Sequence, residues 1–257
     1  MTDNTHELTV AAPAEDLFDL VADVERAPQW FPTHLHAEVI SASVVERYVL
    51  DGDGVRSWQV SRELDRAALR IVFQHVTPKP PLTRMRGEWT FTTEGAVTRV
   101  RVVHSLDVPA DKAAILDKLL PDLDRNVPRQ LAHLKQLGEN LARLRRDTVE
   151  ATATRAFEGP ASTLFERALA STEDTALWRR VSLPERKIVV KRIADLDEGV
   201  ESLTGEYRLT ARPDGGVDLS IRRTATLAEG ADESAADKLR ARLADDTAAE
   251  LDGFARG

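Results

Sequence analysis

The chain contains no cysteine, only 5% aromatic residues and no long hydrophobic run. Without thiols it has no disulfide framework, no cysteine-based metal site and no cysteine nucleophile. No apolar run approaches the roughly 20 residues of a membrane helix, and residues 1–7 are too polar for a signal peptide. Basic residues are scattered and outnumbered, 35 against 43 acidic, which argues against nucleic acid as the main partner. These absences predict a cytoplasmic protein that binds neither membranes nor nucleic acid.

The sequence repeats itself. PAEDLF at residues 13–18 returns as PASTLF at residues 160–165, and GEW at 87–89 returns as GEY at 205–207. Trp58 followed by RIVF is likewise echoed by Trp178 followed by KIVV. A repeat of this size indicates two copies of one structural unit. We therefore predict two domains, residues 1–147 and residues 148–257.

The second copy is shorter than the first. Pro13 and Trp58 lie 45 positions apart, but Pro160 and Trp178 only 18. The missing block of about 27 residues corresponds to roughly one short helix and two strands at ordinary element lengths. All six histidines and three of the four tryptophans lie in the first half. The first copy is therefore predicted to carry the site, and the second to be degenerate.

Residue patterns in the first copy predict an α+β domain. A strand at residues 7–11 precedes an amphipathic helix over 13–24. Six strands follow as an antiparallel meander, at about 35–43, 44–50, 55–64, 69–76, 85–92 and 97–106. A long helix over 110–146 completes the copy, and Pro121 and Pro128 are expected to break or kink it. A curved sheet around a long helix leaves an apolar cavity, the default place for a ligand.

Several motifs carry a resemblance to a known family. LTVAAP at residues 8–13 and LFDLV at 17–21 resemble the START-related helix-grip fold. Trp58 with SRELD at 61–65, and GEWT at 87–90, resemble the bacterial aromatic polyketide aromatase/cyclases. The duplication is similar to their two-domain class, which accompanies type II polyketide synthases. The resemblance thus implies tandem helix-grip domains, and the block missing from the truncated second copy departs from the family.

The resemblance also implies an activity in antibiotic biosynthesis. Such enzymes take a poly-β-ketone tethered to an acyl carrier protein, close its first ring by an intramolecular aldol reaction, and aromatise it by dehydration. They need no metal or redox cofactor, and they work with the other synthase subunits. The signature arginine of the family falls at Arg62 and its pocket aromatics at Trp58 and Trp89. A pocket tyrosine falls at His34, a helix asparagine at Gln130, and a pocket serine at Val60.

The residues themselves fit this chemistry. Strand alternation places Trp58, Val60 and Arg62 on one face of the sheet, and a guanidinium suits a developing oxyanion in a dry site. Imidazole titrates near neutrality, so His34, or otherwise His104, could act as general base and then as acid. Arg62 and His34 are therefore the predicted catalytic residues. The predicted substrate-binding residues are Trp58, Trp89, Trp30, Phe31, Phe91, His104 and Gln130.

The sequence also bears on a metal site, on the role of the second copy and on alternative functions. His34 and His36 alternate without a third ligand in reach, so no metal site is predicted. The second copy is expected to be a structural or homodimerisation element, and its basic residues to help dock the carrier protein. Those residues are Arg179, Arg180, Lys187 and Lys191. The alternative functions are a non-catalytic ligand carrier or chaperone and a pure assembly subunit of a synthase.

Overall fold

The computed structural model describes residues 1–256 and forms two antiparallel sheets with helices packed on them. Its contacts divide the chain into two compact units. The first contains Met1–Ala27 and Ala37–Leu141, and the second contains Pro28–His36 and the chain from Ala142 on. The architecture confirms the predicted α+β class of tandem helix-grip domains with a smaller second copy.

The first sheet has seven strands in the order β1-β7-β6-β5-β4-β3-β2. Every strand predicted in the first copy forms within five residues of its expected bounds, and the largest difference is the first strand, which begins at Thr2 and not at residue 7. The strands are β1 (Thr2–Val10), β2 (His34–Val39), β3 (Val44–Asp51), β4 (Gly54–Asp65), β5 (Arg70–His75), β6 (Arg84–Glu94) and β7 (Val97–Asp107). The helices are α1 (Ala14–Ala22), α2 (Ala27–Trp30), a 3-10 helix (Ala110–Ile115), α3 (Leu116–Glu139) and α4 (Leu141–Asp147).

Helix α1 lies against strands β5 and β6, and α3 lies against β1. Leu17 and Phe18 of α1 are fully buried, and they occupy the apolar stripe that the sequence spacing predicts. Leu131 and Leu134 form the matching stripe of α3. The two stripes cover one face of the sheet, so that face is the interior of the first copy.

The sequence predicts a break or a kink at Pro121 and Pro128, and the prediction of a break was wrong. Both prolines lie inside α3, which ends at Glu139 with Asn140 as its C-cap. A proline removes one backbone hydrogen bond and frees one carbonyl. Pro128 is exposed, as is Asp124 one turn earlier, so water can satisfy that carbonyl. The buried leucine stripe then outweighs the local preference of the prolines.

The second sheet has five strands in the order β8-β12-β11-β10-β9. They are β8 (Thr148–Phe157), β9 (Trp178–Leu183), β10 (Lys187–Arg192), β11 (Val200–Ala211) and β12 (Val217–Leu227). Its helices are α5 (Ala161–Ser171) and α6 (Glu233–Arg256). Residues 172–177, between α5 and β9, contain no counterpart of α2, β2 and β3, so the second copy lacks one short helix and two strands at this point of the fold.

The pairing register shows which residues of the two copies correspond. One row of directly paired residues crosses the first sheet through Asn4, His104, Gly87, Phe73 and Arg62. The same row crosses the second sheet through Ala151, Arg223, Gly205, Val190 and Arg180. Arg180 is therefore the counterpart of Arg62. Trp178 stands at the position of Val60, so its alignment with Trp58 from the sequence repeat was wrong by two residues.

Candidate functional site

Strand β4 turns Trp58, Val60 and Arg62 toward the interior of the first copy. Val60 is buried with Val24 and Val45, and Trp58 packs against that cluster. The Arg62 side chain reaches α1, where its Nη1 donates a hydrogen bond to the carbonyl oxygen of Ala22 at 2.9 Å. The signature arginine and its neighbouring tryptophan therefore lie on the inner face, between the sheet and the first helix.

Arg62 and Arg180 perform the same structural task in their own copies. Ala22 is the last residue of α1, and its carbonyl has no partner within the helix. It also accepts a backbone hydrogen bond from the N–H of Val24 at 3.0 Å. In the second copy, Arg180 Nη1 donates to the carbonyl oxygens of Leu169 and Thr172, at 2.9 and 2.8 Å, at the end of α5. A cation at a helix C-terminus is also favoured by the helix dipole. Each arginine therefore caps the helix that packs on its sheet.

Arg62 keeps hydrogen-bonding capacity beyond this cap. Its Nε is buried and has no partner among the residues that the structure describes. Burial lowers the pKa of Arg62, and the nearby carboxylate of Asp23 offsets part of that effect. A desolvated guanidinium with an unused donor on the inner face is suited to bind an oxygen of a ligand.

His75 lies beside Trp58 on the inner face, although the sequence predicts no role for it. It is paired with Val60 across β4 and β5, and its ring stacks on Trp58 with ring centroids 6.2 Å apart. Burial lowers the pKa of His75 below its ordinary 6.5, and the charges of Arg56 and Arg47 lower it further. The imidazole is therefore neutral at pH 7 and able to accept a proton. The sequence signal that could have found His75 is strand alternation, which places Ile71, Phe73 and His75 on one face of β5.

His34 is not placed as predicted. Ala37 packs in the inner cluster with Val45 and Val60. Successive residues of a strand point to opposite faces, so His34, three positions before Ala37, lies on the other face of β2. Its ring stacks on Phe31 at 5.2 Å. The prediction of His34 as the base beside Arg62 is therefore corrected, and the site proposed below does not use it.

A buried lysine fixes the segment that carries Trp30, Phe31 and His34. Residues Pro28–His36 belong to the second compact unit. There the Nζ of Lys191 donates to the carbonyl oxygens of Pro28, Phe31 and His34 at 2.7, 2.7 and 2.9 Å. Lys191 is 5% exposed, and burial lowers its pKa to about 7. All three N–H donors of the ammonium are used in holding this segment.

The expectation that basic residues of the second copy form a docking surface was wrong for three of the four. Lys187 and Lys191 are buried, and Arg180 caps α5. Arg179 is half-buried and donates to the carbonyl oxygen of Trp178. Basic residues in a sequence are usually solvated, but here burial removes them from the surface.

The remaining predicted contacts divide between core and inner wall. Phe91 is buried edge-on against Phe18 of α1, 6.1 Å between centroids, and Trp89 stacks on Phe91 at 6.4 Å. His104 meets Phe73 edge-on at 5.6 Å. Gly87 makes room for the Phe73 ring, since a Cβ on Gly87 would lie 2.2 Å from its Cζ. These aromatic rings line one inner face of the sheet.

Gln130 lies elsewhere. It is exposed on α3, although the resemblance had placed it among the pocket residues. The helix turns its leucine stripe, Leu131 and Leu134, to the sheet, and Gln130 falls outside that stripe. The proposed site therefore does not include Gln130.

The pKa of His104 makes stability depend on pH. Burial lowers this pKa from 6.5 to about 4, with smaller contributions from His6 and His75. Between these values the unfolded chain binds a proton that the folded chain does not, so stability falls as pH drops from 6.5 to 4. We expect His104 to account for about 3 kcal/mol of this loss. Chemical denaturation of wild type and of His104→Phe across this range measures it. Parallel curves for the two proteins would contradict the assignment.

An ionic network fills the corresponding row of the second copy. Arg223 stands at the position of His104, and its Nη2 donates to the Tyr207 hydroxyl at 2.6 Å and to Glu250 Oε2 at 2.7 Å. The Tyr207 hydroxyl in turn donates to Glu250 Oε1, and burial raises the pKa of Tyr207. A Cβ on Gly205 would lie 1.9 Å from Arg223 Nη1. The second copy thus uses this interior space for its own side chains.

Residues 1–256 bring no three histidine, aspartate or glutamate side chains together in a way that could hold a metal ion. None of the helices in the described chain is long and apolar enough to cross a membrane.

Comparison with known proteins identifies the first copy. Residues 10–135 match the family described as polyketide cyclase / dehydrase and lipid transport. Over 138 residues the chain is 36% identical to the actinorhodin polyketide synthase bifunctional cyclase/dehydratase of Streptomyces coelicolor. Over these residues the first copy resembles the polyketide cyclase/dehydrase family. A granaticin polyketide synthase bifunctional cyclase/dehydratase of Streptomyces violaceoruber is 33% identical over 141 residues. Each match covers 52% of this chain and 43% of the relative, so the chain spans less than half the length of these two curated relatives.

Solved structures extend the likeness to both copies. The di-domain ARO/CYC BexL, from the BE-7585A biosynthetic pathway, has a TM-score of 0.81 at 23% identity, covering 99% of this chain and 97% of BexL. The di-domain ARO/CYC StfQ, from the steffimycin biosynthetic pathway, has a TM-score of 0.71 at 25% identity, covering 97% and 99%. The shared fold therefore includes the smaller second copy.

The polyketide cyclase/dehydrase match ends before the second copy begins. It covers the copy in which Arg62, Trp58 and His75 face the interior. The second copy, whose equivalent row is filled by Arg223 and Tyr207, lies outside it. The family resemblance and the inward Arg62, Trp58 and His75 thus coincide in one half of the chain.

Proposed function

We propose that this protein is an aromatase/cyclase of aromatic polyketide biosynthesis. It closes and dehydrates the first ring of a poly-β-ketone bound to an acyl carrier protein. The observation that carries the proposal is the desolvated Arg62 guanidinium, which faces the interior with Trp58 and keeps a buried Nε without a described partner. The names of the curated relatives, bifunctional cyclase/dehydratases, support it. The proposed partners are the carrier protein and other type II synthase subunits in the cytoplasm.

The proposed chemistry begins with proton removal. A methylene C–H between two carbonyls breaks, its proton passes to neutral His75, and the electron pair forms an enolate. The enolate carbon attacks a ketone further along the chain, which forms the new C–C bond and an alkoxide. Arg62 stabilises the alkoxide oxygen until it is protonated. The imidazolium of His75 protonates the alkoxide, which restores the neutral ring. Neutral His75 then removes a C–H proton next to the new alcohol and returns it to the departing hydroxide as water, and enolisation of the remaining ketones makes the new ring aromatic.

The aromatic wall supplies the preorganisation for this reaction. Trp58 and Trp89 are half-buried on the inner face, where flat side chains stack on a folded polyketone. When the bound chain holds the two reacting carbons together, ring closure no longer carries the entropy loss that a free chain would suffer in the same step. In this proposal the second copy is structural, and its Lys191 holds the segment of Trp30 and Phe31.

A non-catalytic ligand carrier is the second candidate, because the family description includes lipid transport. A reconstituted type II synthase separates the two functions. We expect addition of the full chain to convert shunt products into one product with a single first-ring pattern, as measured by liquid chromatography with mass spectrometry. A carrier would raise total yield and leave the distribution of ring patterns unchanged, which would refute the enzymatic proposal.

Replacement of His75 tests the base. We expect His75→Gln to lower the rate of ring closure about 100-fold, the usual contribution of a positioned base. Because the base must be neutral, wild-type activity falls as pH drops through the lowered pKa of His75, below 6.5. The variant should lose this acid limb. His133→Gln, on α3, is the matched control, and it should keep both the rate and the limb. A His75→Gln profile identical to wild type would exclude the role.

A further inference from the structure

A second guanidinium faces the interior from strand β3. Arg47 is directly opposite Trp58 in the β3–β4 pairing, so the two side chains project from the same face. Val45 and Val49, its alternate neighbours on β3, are both buried. Arg47 therefore occupies an inward position on a strand whose other inward residues are core valines.

The electrostatic state of Arg47 is that of a desolvated cation. Burial, together with a smaller effect of the positive charge of Arg62, lowers its pKa to about 10. No carboxylate among the described residues contributes to this pKa. Even so, the side chain keeps partial access to solvent. Arg47 is therefore largely surrounded by protein and still reachable by water.

Arg47 and Arg62 therefore present two like charges to one interior, each disfavouring the other. A bound group with negative charge on oxygen relieves this repulsion. Under the proposed function, such a group arises when a β-dicarbonyl unit loses its methylene proton, because the enolate spreads one charge over two oxygens. We propose that Arg47 is a further substrate-binding residue, which donates hydrogen bonds to an oxygen of that enolate. This assignment rests on the proposed function.

The duplication supports a ligand role for Arg47. Arg62 has a counterpart in Arg180, so its helix-capping contact is shared by both copies. Arg47 has none, because residues 148–256 contain no counterpart of β3. The second copy therefore folds with the capping arginine and without this cation. Arg47 belongs only to the copy whose inner face is not occupied by an ionic network.

The step that Arg47 assists is the ionisation of the substrate, a proton transfer without redox change. The C–H bond between two carbonyls breaks, the proton goes to water or to His75, and the electron pair stays in the enolate. Benzoylacetone, a small 1,3-diketone, is a direct probe of this step, because its enolate and neutral forms differ in near-ultraviolet absorbance. Its ionisation can be titrated in the presence of excess full-length protein without any carrier protein or ring closure.

We expect the wild-type protein to lower the apparent pKa of bound benzoylacetone. Arg47→Gln should make the ionisation constant of the bound probe at least tenfold smaller than it is with the wild-type protein. Arg86→Gln is the matched control. Arg86 neighbours inward Gly87 on β6, so it lies on the outer face, where it is 42% exposed and paired with Glu88. Arg86→Gln removes the same charge from the same sheet, so this variant should lower the pKa of the probe as the wild-type protein does.

Arg47→Met gives a second variant if the glutamine variant does not fold. Replacing a buried, repelled cation with an apolar residue of similar length is often neutral or stabilising, so Arg47→Met should melt at or above the wild-type temperature. Wild-type ionisation of the probe in either folded variant would overturn the proposal, as would a wild-type protein that does not shift the probe at all. If ionisation depends on Arg47 but the synthase products do not depend on the chain, the proposed function fails while the binding role of Arg47 stands.

Discussion

Arg62→Ala is expected to lower the rate of ring closure at least 100-fold, the usual effect of removing a donor that stabilises an oxyanion. It should also destabilise the protein by about 2 kcal/mol, because the hydrogen bond from a charged donor to the Ala22 carbonyl is lost. Two measurements are needed, product formation in a reconstituted synthase and unfolding by denaturant. The structural contribution alone would leave a folded protein with reduced stability and normal turnover.

Arg180→Ala is the control that the duplication provides. Arg180 makes the same cap at the end of α5, with two carbonyl contacts at 2.9 and 2.8 Å. Its replacement should destabilise the chain at least as much as Arg62→Ala does, and leave ring closure intact at temperatures where the protein stays folded. If the two variants lose activity in proportion to stability, Arg62 is a helix cap only. A fully active Arg62→Ala protein would end the proposal that Arg62 takes part in catalysis.

Glu250→Ala is expected to have the largest effect on stability, about 3–5 kcal/mol. Glu250 accepts hydrogen bonds from Arg223 and from the Tyr207 hydroxyl, and Tyr207 is 2% exposed. Without the carboxylate, the partly buried Arg223 guanidinium keeps its charge and loses its counter-ion. Because this network lies in the interior of the second copy, the whole copy should unfold less cooperatively in the variant.

Asp252→Ala tests whether that effect is specific. Asp252 lies on the same helix two positions later and pairs with Arg155, but both side chains are largely exposed, 52% and 40%. Exposed ion pairs contribute only about 0–1 kcal/mol. Thermal or denaturant unfolding should therefore separate the two variants clearly. Equal losses would show that the Tyr207–Arg223–Glu250 network does not stabilise the second copy.

The local elements were predictable because short-range rules set them. Turn residues such as Asp51-Gly52 and alternating hydrophobic runs located the strands of the first copy. The repeat revealed the duplication, and the spacing between its motifs revealed the shorter second copy. The helix interruption was misplaced because a proline penalty is local, whereas the burial of Leu131 and Leu134 is a tertiary gain.

The candidate site was predictable only in part. Alternation along β4 gave Trp58 and Arg62 the same face, because that rule needs one strand alone. His75 needed the β4–β5 register, and Arg47 needed the β3–β4 register. His34 was misassigned because the face of β2 that meets the core depends on where Ala37 packs. Pairing between strands is a long-range property that residue patterns do not encode locally.

By itself the sequence determined the duplicated α+β architecture, the shorter second copy and the family motifs around Arg62. These follow from periodicity, turn residues and repetition, which are properties of neighbouring positions. Tertiary structure alone decided that Arg62 and Arg180 cap helices, that Lys191 is buried under three carbonyls, and that Arg47 and His75 join Trp58. Each of these contacts joins residues from different elements, so strand register and burial, and not local propensity, fix which charges meet and which lose their water.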